Sequence, residues 1–213
     1  MTGEEYIRSL REMKTVVYYR GERIENFVDH PAIRPHINAA AMTYEMAHDP
    51  QYEELLTTTS HLTGKKISRF THIHQSAEDL VKKVKMLRAI AQRTGSCFQR
   101  CVGFDAINAL YGVTYEIDQK KGTKYHERLV DFLLYIQETD RMVDGAMTDP
   151  KGDRSLPPSK QVDPDQYLRV VERRDDGIVV RGAKVHQTGA VNSHEIVAMP
   201  TVALGPDDAD WAV

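Results

Sequence analysis

Up to about residue 140 the apolar positions recur at helical spacing, and beyond it they gather into short β-like runs. Thr2 to Lys14 reads as a first helix, with Thr2 as N-cap, Glu5 three residues on, and Tyr6, Ile7, Leu10 and Met13 on or near one face. Val16 to Tyr19 is a β-branched and aromatic run before a turn at Gly21-Glu22, and His30-Pro31 and Arg34-Pro35 punctuate a loop. Ile37 to Met46 and a segment from Asp49-Pro50 to Leu56 predict two more helices. Ser76, with Asp79 three residues on, caps a helix through about Arg93, with Leu80, Val84, Leu87 and Ile90 inward and Lys82, Lys83 and Lys85 on a solvated outer face. After Gly95 the pattern predicts a helix opening at Ser96 and carrying both Cys97 and Cys101, and then a long amphipathic helix over Tyr125–Asp140. Asp149 to Lys160 is a loop rich in proline, glycine and charge. Tyr167–Arg173 and Ile178–Val185 form a hairpin around Asp175-Asp176-Gly177, and His194–Leu204 is a further β-like run. The succession predicts an α+β protein: a helical N-terminal domain over residues 1–140, then the beginning of a β domain over residues 141–213.

Composition narrows the classes. Of 213 residues, 41% are hydrophobic, enough for a sizeable core, and the net charge of −3 lacks the basic surplus of a general nucleic-acid binder. No apolar run approaches the roughly 20 residues of a membrane span, and Met1 to Lys14 has no signal-peptide core. A cytoplasmic protein, bound to neither nucleic acid nor membrane, is expected. With only two cysteines, four positions apart, and a reducing compartment, the pair points to a metal or cluster or to two buried thiols.

Three motifs carry candidate chemistry. On a helix Cys97 and Cys101 would share a face and offer two thiolates to a cluster or a tetrahedral metal, although the spacing equally suits two small core residues. In the run Met147 to Arg154, Thr148 and the backbone amides could donate to a planar heterocycle or a phosphate, with Lys151 and Arg154 facing a pyrophosphate; a solvated inter-domain loop is the simpler reading. His186-Gln187-Thr188-Gly189, extended by Asn192, Ser193 and His194, puts polar side chains at a strand end beside a glycine, and an ordinary turn reads the same way. His72 and His74 read as surface or core histidines before ligands.

Taken in order, Val28-Asp29-His30-Pro31, Ala41-Met42-Thr43-Tyr44-Glu45, Ser96-Cys97-Phe98-Gln99-Arg100-Cys101, Val143 to Arg154, Gly177 to Lys184, His186 to Gly189 and Asn192 to Glu195 resemble the 4-hydroxybutyryl-CoA dehydratases. These belong to a wider group with the flavin-dependent 4-hydroxyphenylacetate 3-monooxygenases. The resemblance runs from Met1 to Val213. It implies an acyl-CoA dehydrogenase-like architecture, in which the β part begins a β-barrel middle domain, and two cofactors, FAD and a [4Fe-4S] cluster. By resemblance Cys97 and Cys101 are cluster ligands. Thr148, Asp149, Lys151, Gly152, Asp153, Arg154, Ser155, His186, Gln187 and Thr188 contact FAD, and Gln99 and Thr188 are active-site side chains. The implied reaction is reversible dehydration of 4-hydroxybutyryl-CoA to crotonyl-CoA, with vinylacetyl-CoA isomerisation alongside. The alternatives are a monooxygenase-type oxygenase component and a non-catalytic scaffold that docks a separately encoded C-terminal half.

The resemblance also implies a CoA-thioester substrate and a homo-oligomer in the full-length form. The C-terminal helical domain that supplies the remaining cluster ligands in that family has no counterpart here, so the chain is expected to be inactive alone.

Overall fold

The computed structural model describes residues 1–213. In chain order the elements are α1 (Gly3–Glu12), β1 (Val17–Tyr19), β2 (Glu22–Ile24), α2 (Arg34–His48), α3 (Glu53–Leu56), β3 (Thr57–Thr59), β4 (Lys66–Ser68), α4 (Ala77–Thr94), α5 (Cys101–Lys121), α6 (Tyr125–Thr139), β5 (Val143–Ala146), β6 (Arg169–Arg174), β7 (Gly177–Arg181) and β8 (Glu195–Ala198). The class is α+β. The strands pair two by two, as β1-β2, β3-β4, β5-β8 and β6-β7. Two compact units result, one of residues 1–144 with 191–195 and one of residues 145–190 with 196–213. Linear patterning carries no signal for the return of Val191–Glu195 to the first unit.

The first unit is organised around α1 and α2. The Thr2 hydroxyl and the Glu5 carboxylate cap the start of α1 reciprocally, as expected. The helix buries Tyr6 and Leu10 against Ile37, Ala40, Ala41 and Tyr44 of α2, and the Tyr6 and Tyr44 rings stack with centroids 4.9 Å apart. The small alanines let the helix axes approach, so the aromatic pair fills the space between them. Arg34-Pro35, expected in a loop, opens α2 instead, because a proline in the first turn gives up only an amide that has no helical partner. The helix expected from Asp49-Pro50 shrinks to the single turn of α3.

Two helices depart further from the pattern. In α4 the face Leu80, Val84, Leu87 and Ile90 was expected inward; Ile90 is buried as expected, but Leu80 is 51% and Val84 66% exposed, and Met86 is buried beside Ile90 instead. A polar cluster decides this rotation. Asp79, one face with Lys83, Met86 and Ile90, receives the buried Arg69 guanidinium at 3.3 Å and lies 3.4 Å from the His72 ring. Arg69 also donates to the Leu55, Glu54 and Thr57 carbonyls. Of the three lysines expected to be solvated, Lys85 is exposed, while Lys82 and Lys83 turn partly inward, to Glu54 and Asp105. Burial, the largest cause in each case, lowers the titration of His72 and His74.

The helix expected from Ser96 begins only at Cys101. Gly95 ends α4 in the left-handed conformation, and residues 97–100 form a loop in which Gln99 has φ +64°. Tertiary anchors explain the loop. Phe98 is buried beside Phe70, and the Arg100 guanidinium lies between the Tyr44 and Phe70 rings, 4.2 and 4.4 Å from their centroids. In the second unit β6 and β7 form the expected antiparallel hairpin, with Arg174 opposite Gly177 across Asp175-Asp176. The last run reduces to Glu195–Ala198.

Candidate functional site

The second unit holds a cleft of about 550 Å³ whose lining includes Thr148, Asp149, Lys151, Arg154 and Ser155. Five of the residues expected at the flavin therefore converge on one concave surface. Its floor is fixed by a buried ion pair that the sequence did not single out. The Lys184 ammonium uses its three donors on Asp149 Oδ1 at 2.5 Å, the Met199 carbonyl at 2.6 Å and the Met147 carbonyl at 3.3 Å. The other Asp149 oxygen accepts from the Thr201 hydroxyl at 2.8 Å and its amide at 3.3 Å. Asp149 thus anchors the loop, and its charge is met by Lys184.

Gly152 and Asp153 shape the loop without lining the cleft. A Cβ on Gly152 would lie 2.3 Å from the side-chain ends of Gln161 and Gln166, so the loop needs glycine for close approach. Buried Gln161 accepts from the Asp153 amide and donates to the Asp153 and Leu156 carbonyls. Asp153 accepts from the Ser155 amide and hydroxyl, which hold its carboxyl below the usual range. Lys151 and Arg154 are exposed over the cleft and form no ion pair, so with Asp149 neutralised the cleft presents net positive charge to an anion. That donor set fits the pyrophosphate of FAD. His186, Gln187 and Thr188 do not line the cleft. His186 is exposed with φ +59°, Thr188 is exposed, and Gln187 donates to the Val185 carbonyl. They connect to the loop through the Val185 amide, which bonds the Thr148 carbonyl at 3.0 Å.

In the first unit the 97–101 loop presents an exposed Cys97 and a half-buried Cys101. They do not share a helical face, because only Cys101 lies in α5. The thiols still sense each other: burial first, and then the nearby Cys97, raise the titration of Cys101. Among residues 1–213 no three His, Cys, Asp or Glu side chains converge as a metal-binding group. A four-iron cluster takes four protein ligands, so the residues present do not complete one. Gln99, between the cysteines, is 2% exposed. Its amide nitrogen donates to the Cys97 carbonyl at 2.9 Å and lies 3.4 Å from His36 Nδ1, and its oxygen accepts from Asn192 at 2.9 Å.

His194 occupies the same returning segment. Its Nδ1 accepts from the Met142 amide at 3.0 Å, which leaves the ring proton on Nε2, 2.8 Å from the Ser9 hydroxyl. Ser9 in turn donates to the Tyr6 carbonyl at 2.7 Å. Burial, followed by the Arg141 and Arg100 charges, pushes His194 down to about 4. Lys184, Thr201 and Gln161 are residues that sequence reasoning left without a role. Lys184 and Thr201 act on Asp149 from 35 and 52 positions away, and Gln161 closes its own loop on Asp153 eight positions back, all beyond the three- or four-residue reach of local pattern.

No helix is long and apolar enough to cross a membrane. Known proteins extend these observations. The chain is 64% identical over its whole length to the 4-hydroxybutyryl-CoA dehydratase/vinylacetyl-CoA-Δ-isomerase of Clostridium aminobutyricum, 44% of which it spans. It is 29% identical to the 4-hydroxyphenylacetate 3-monooxygenase oxygenase component of Thermus thermophilus, spanning 43% of that protein. Among solved structures, an oxygen-tolerant archaeal 4-hydroxybutyryl-CoA dehydratase from N. maritimus superposes with a TM-score of 0.93 at 52% identity, over 99% of this chain and 42% of that one. A 4-hydroxyphenylacetate 3-monooxygenase oxygenase component complexed with FAD gives 0.80 at 27% identity, over 99% of this chain and 43% of that one. The chain therefore spans less than half the length of these relatives. The family model described as 4-hydroxyphenylacetate 3-hydroxylase N terminal matches residues 2–213, and the chain belongs to that family.

Proposed function

We propose that this chain is the N-terminal portion of a FAD- and [4Fe-4S]-dependent 4-hydroxybutyryl-CoA dehydratase, which forms crotonyl-CoA and isomerises vinylacetyl-CoA. The observation that carries this reading is the contrast in identity, 64% to a dehydratase against 29% to a monooxygenase component. In this reading the architecture is acyl-CoA dehydrogenase-like, with a helical domain over residues 1–140 and residues 141–213 beginning a β-barrel middle domain. The protein is cytoplasmic, homo-oligomeric in full-length form, and takes a CoA-thioester substrate.

Within the chain, Lys151 and Arg154 would meet the flavin pyrophosphate by charge-assisted hydrogen bonds, with Thr148 donating from the same loop and Ser155, whose donors are held by Asp153, lining the cleft beside them. Lys184 and Asp149 keep that loop in shape without spending a free charge on the ligand. His186, Gln187 and Thr188 would approach the flavin from the strand end. A flavin held there would supply one-electron redox chemistry to a substrate position that acid–base groups alone activate poorly. Cys97 and Cys101 would give two of the cluster's ligands, and the others must come from a further polypeptide segment. The chain alone is therefore inactive.

The test is anaerobic co-expression with a polypeptide equivalent to the relatives' remaining length, followed by iron and flavin analysis and a crotonyl-CoA assay. Crotonyl-CoA formation by the pair, but not by the chain alone, is expected. The likeness to the FAD-complexed oxygenase component favours a second reading, hydroxylation of a phenol with reduced flavin and oxygen. Iron-free protein with that activity and no crotonyl-CoA would replace the first reading.

A further inference from the structure

The cysteine loop is strained where a local preference would relax it. Gln99 is not glycine, yet it holds φ +64°, a conformation that persists only when its surroundings over-determine it. The surroundings that do so come from far away in the chain. Asn192, fully buried, donates from Nδ2 to Gln99 Oε1 at 2.9 Å and to the Tyr6 hydroxyl at 2.9 Å. Tyr6 returns a bond of 2.6 Å to the Asn192 carbonyl and points its hydroxyl at Met142 Sδ, 3.4 Å away. Gln99 then passes the restraint on by donating to the Cys97 carbonyl. The side-chain oxygen of Asn192 has no hydrogen-bond partner although it is buried. An interior that tolerates this orphan keeps the asparagine for the two bonds it donates, since an apolar residue would avoid the cost.

We propose that Asn192, braced by Tyr6, is a positioning residue that holds Gln99 in its left-handed conformation and so fixes where the loop presents Cys97. The chain Tyr6–Asn192–Gln99–Cys97 is continuous at hydrogen-bond distance, and its first two links join residues 186 and 93 positions apart. The significance of the device rests on the reading of Cys97 and Cys101 as cofactor ligands, because ligand thiolates must be preset within a fraction of an ångström. The device itself does not depend on that reading.

The test follows the loop directly and needs neither iron nor flavin, so its outcome is independent of the dehydratase assignment. In the 213-residue chain carrying Cys101→Ser, exposed Cys97 is the one thiol left and takes a nitroxide label. The label's spectrum is compared between this parent and Asn192→Ala, Gln99→Ala and the double variant. Both single variants cut the same link, so each is expected to raise the mobile fraction at Cys97 by about two-fold or more, and the double variant to add nothing further. Unfolding temperatures are measured on the same samples. A folded Asn192→Ala whose spectrum superposes on the parent's overturns the proposal, as does a double variant equal to the sum of the singles. If Asn192→Ala does not fold, Tyr6→Phe takes its place. It removes the brace and keeps the ring, a smaller rise in the mobile fraction is expected, and no change overturns the proposal.

Discussion

His194 gives the most quantitative prediction, because its partners determine both its tautomer and its charge. Protonating Nδ1 would destroy the bond from the Met142 amide and place a cation near Arg141 and Arg100. Its ordinary value is 6.5, and in the fold it lies at about 4. Between these values the unfolded chain binds the proton and the folded chain does not, so acid favours unfolding. The contribution is fully present above pH 6.5 and disappears as the pH falls toward 4. At 1.36 kcal/mol per pH unit of separation the ceiling is about 3 kcal/mol, and partial exposure of the ring lowers the expectation to about 2 kcal/mol. The assay is urea unfolding of the native chain and of His194→Gln at several pH values from 7.5 to about 4.5. His61, His72 and His74 are also lowered, foremost by burial, and add slope of the same sign to both proteins. The difference between the two curves therefore isolates His194. Glutamine loses some packing and bonding at every pH, which offsets the curves without tilting them. The gap should narrow by about 2 kcal/mol on going from pH 7 to the acid end. Parallel curves would refute the account of a neutral, locked imidazole.

Three other perturbations probe the remaining features. Lys184→Met leaves Asp149, 7% exposed at its side chain, with only Thr201 as partner. A loss of about 3 kcal/mol in urea unfolding is expected, with much of it regained in Asp149→Asn/Lys184→Met; a single-variant loss under about 1 kcal/mol would contradict the anchoring role. Replacing Lys151 and Arg154 together by glutamate should weaken FAD binding at least about 100-fold by fluorescence titration, and equal affinity would remove the cleft from the flavin site. Gly103→Ala would bring a Cβ within 2.1 Å of the Val143 carbonyl, so α5 and β5 must part. A fall of about 2 kcal/mol is expected, and an unchanged unfolding temperature would show that the contact yields freely.

Much of the architecture was legible along the chain because local signals and tertiary demands agree there. The Thr2–Glu5 capping box, the Ser76 cap, the left-handed glycine after α4 and the Asp175-Asp176 hairpin each act within a few residues. The stretch from Asp149 to Lys160 was also readable as a loop, since its prolines, glycine and charges are local facts.

The places where pattern failed share one cause. The N-terminal half of the α4 face was misread because apolar count favours Leu80 and Val84, while the Arg69–Asp79–His72 cluster turns Met86 inward beside the expected Ile90. The cysteine helix was drawn to start at Ser96, five residues before Cys101, whereas the burial of Phe98 and Arg100 pulls that segment out of helix.

The sequence by itself determined the α+β class, most of the helices, the β6–β7 hairpin, the mild net charge, the two thiols, and the family resemblance that the comparisons then established. Only the tertiary structure decided which helix face is inside, that Lys184 pins Asp149, and that Val191–Glu195 returns to set Gln99 and His194 among their partners. Propensity and capping act over three or four residues, whereas a buried charge or amide must be satisfied by whatever the fold brings within 3 Å of it, and that partner can lie 186 positions away, as Asn192 lies from Tyr6.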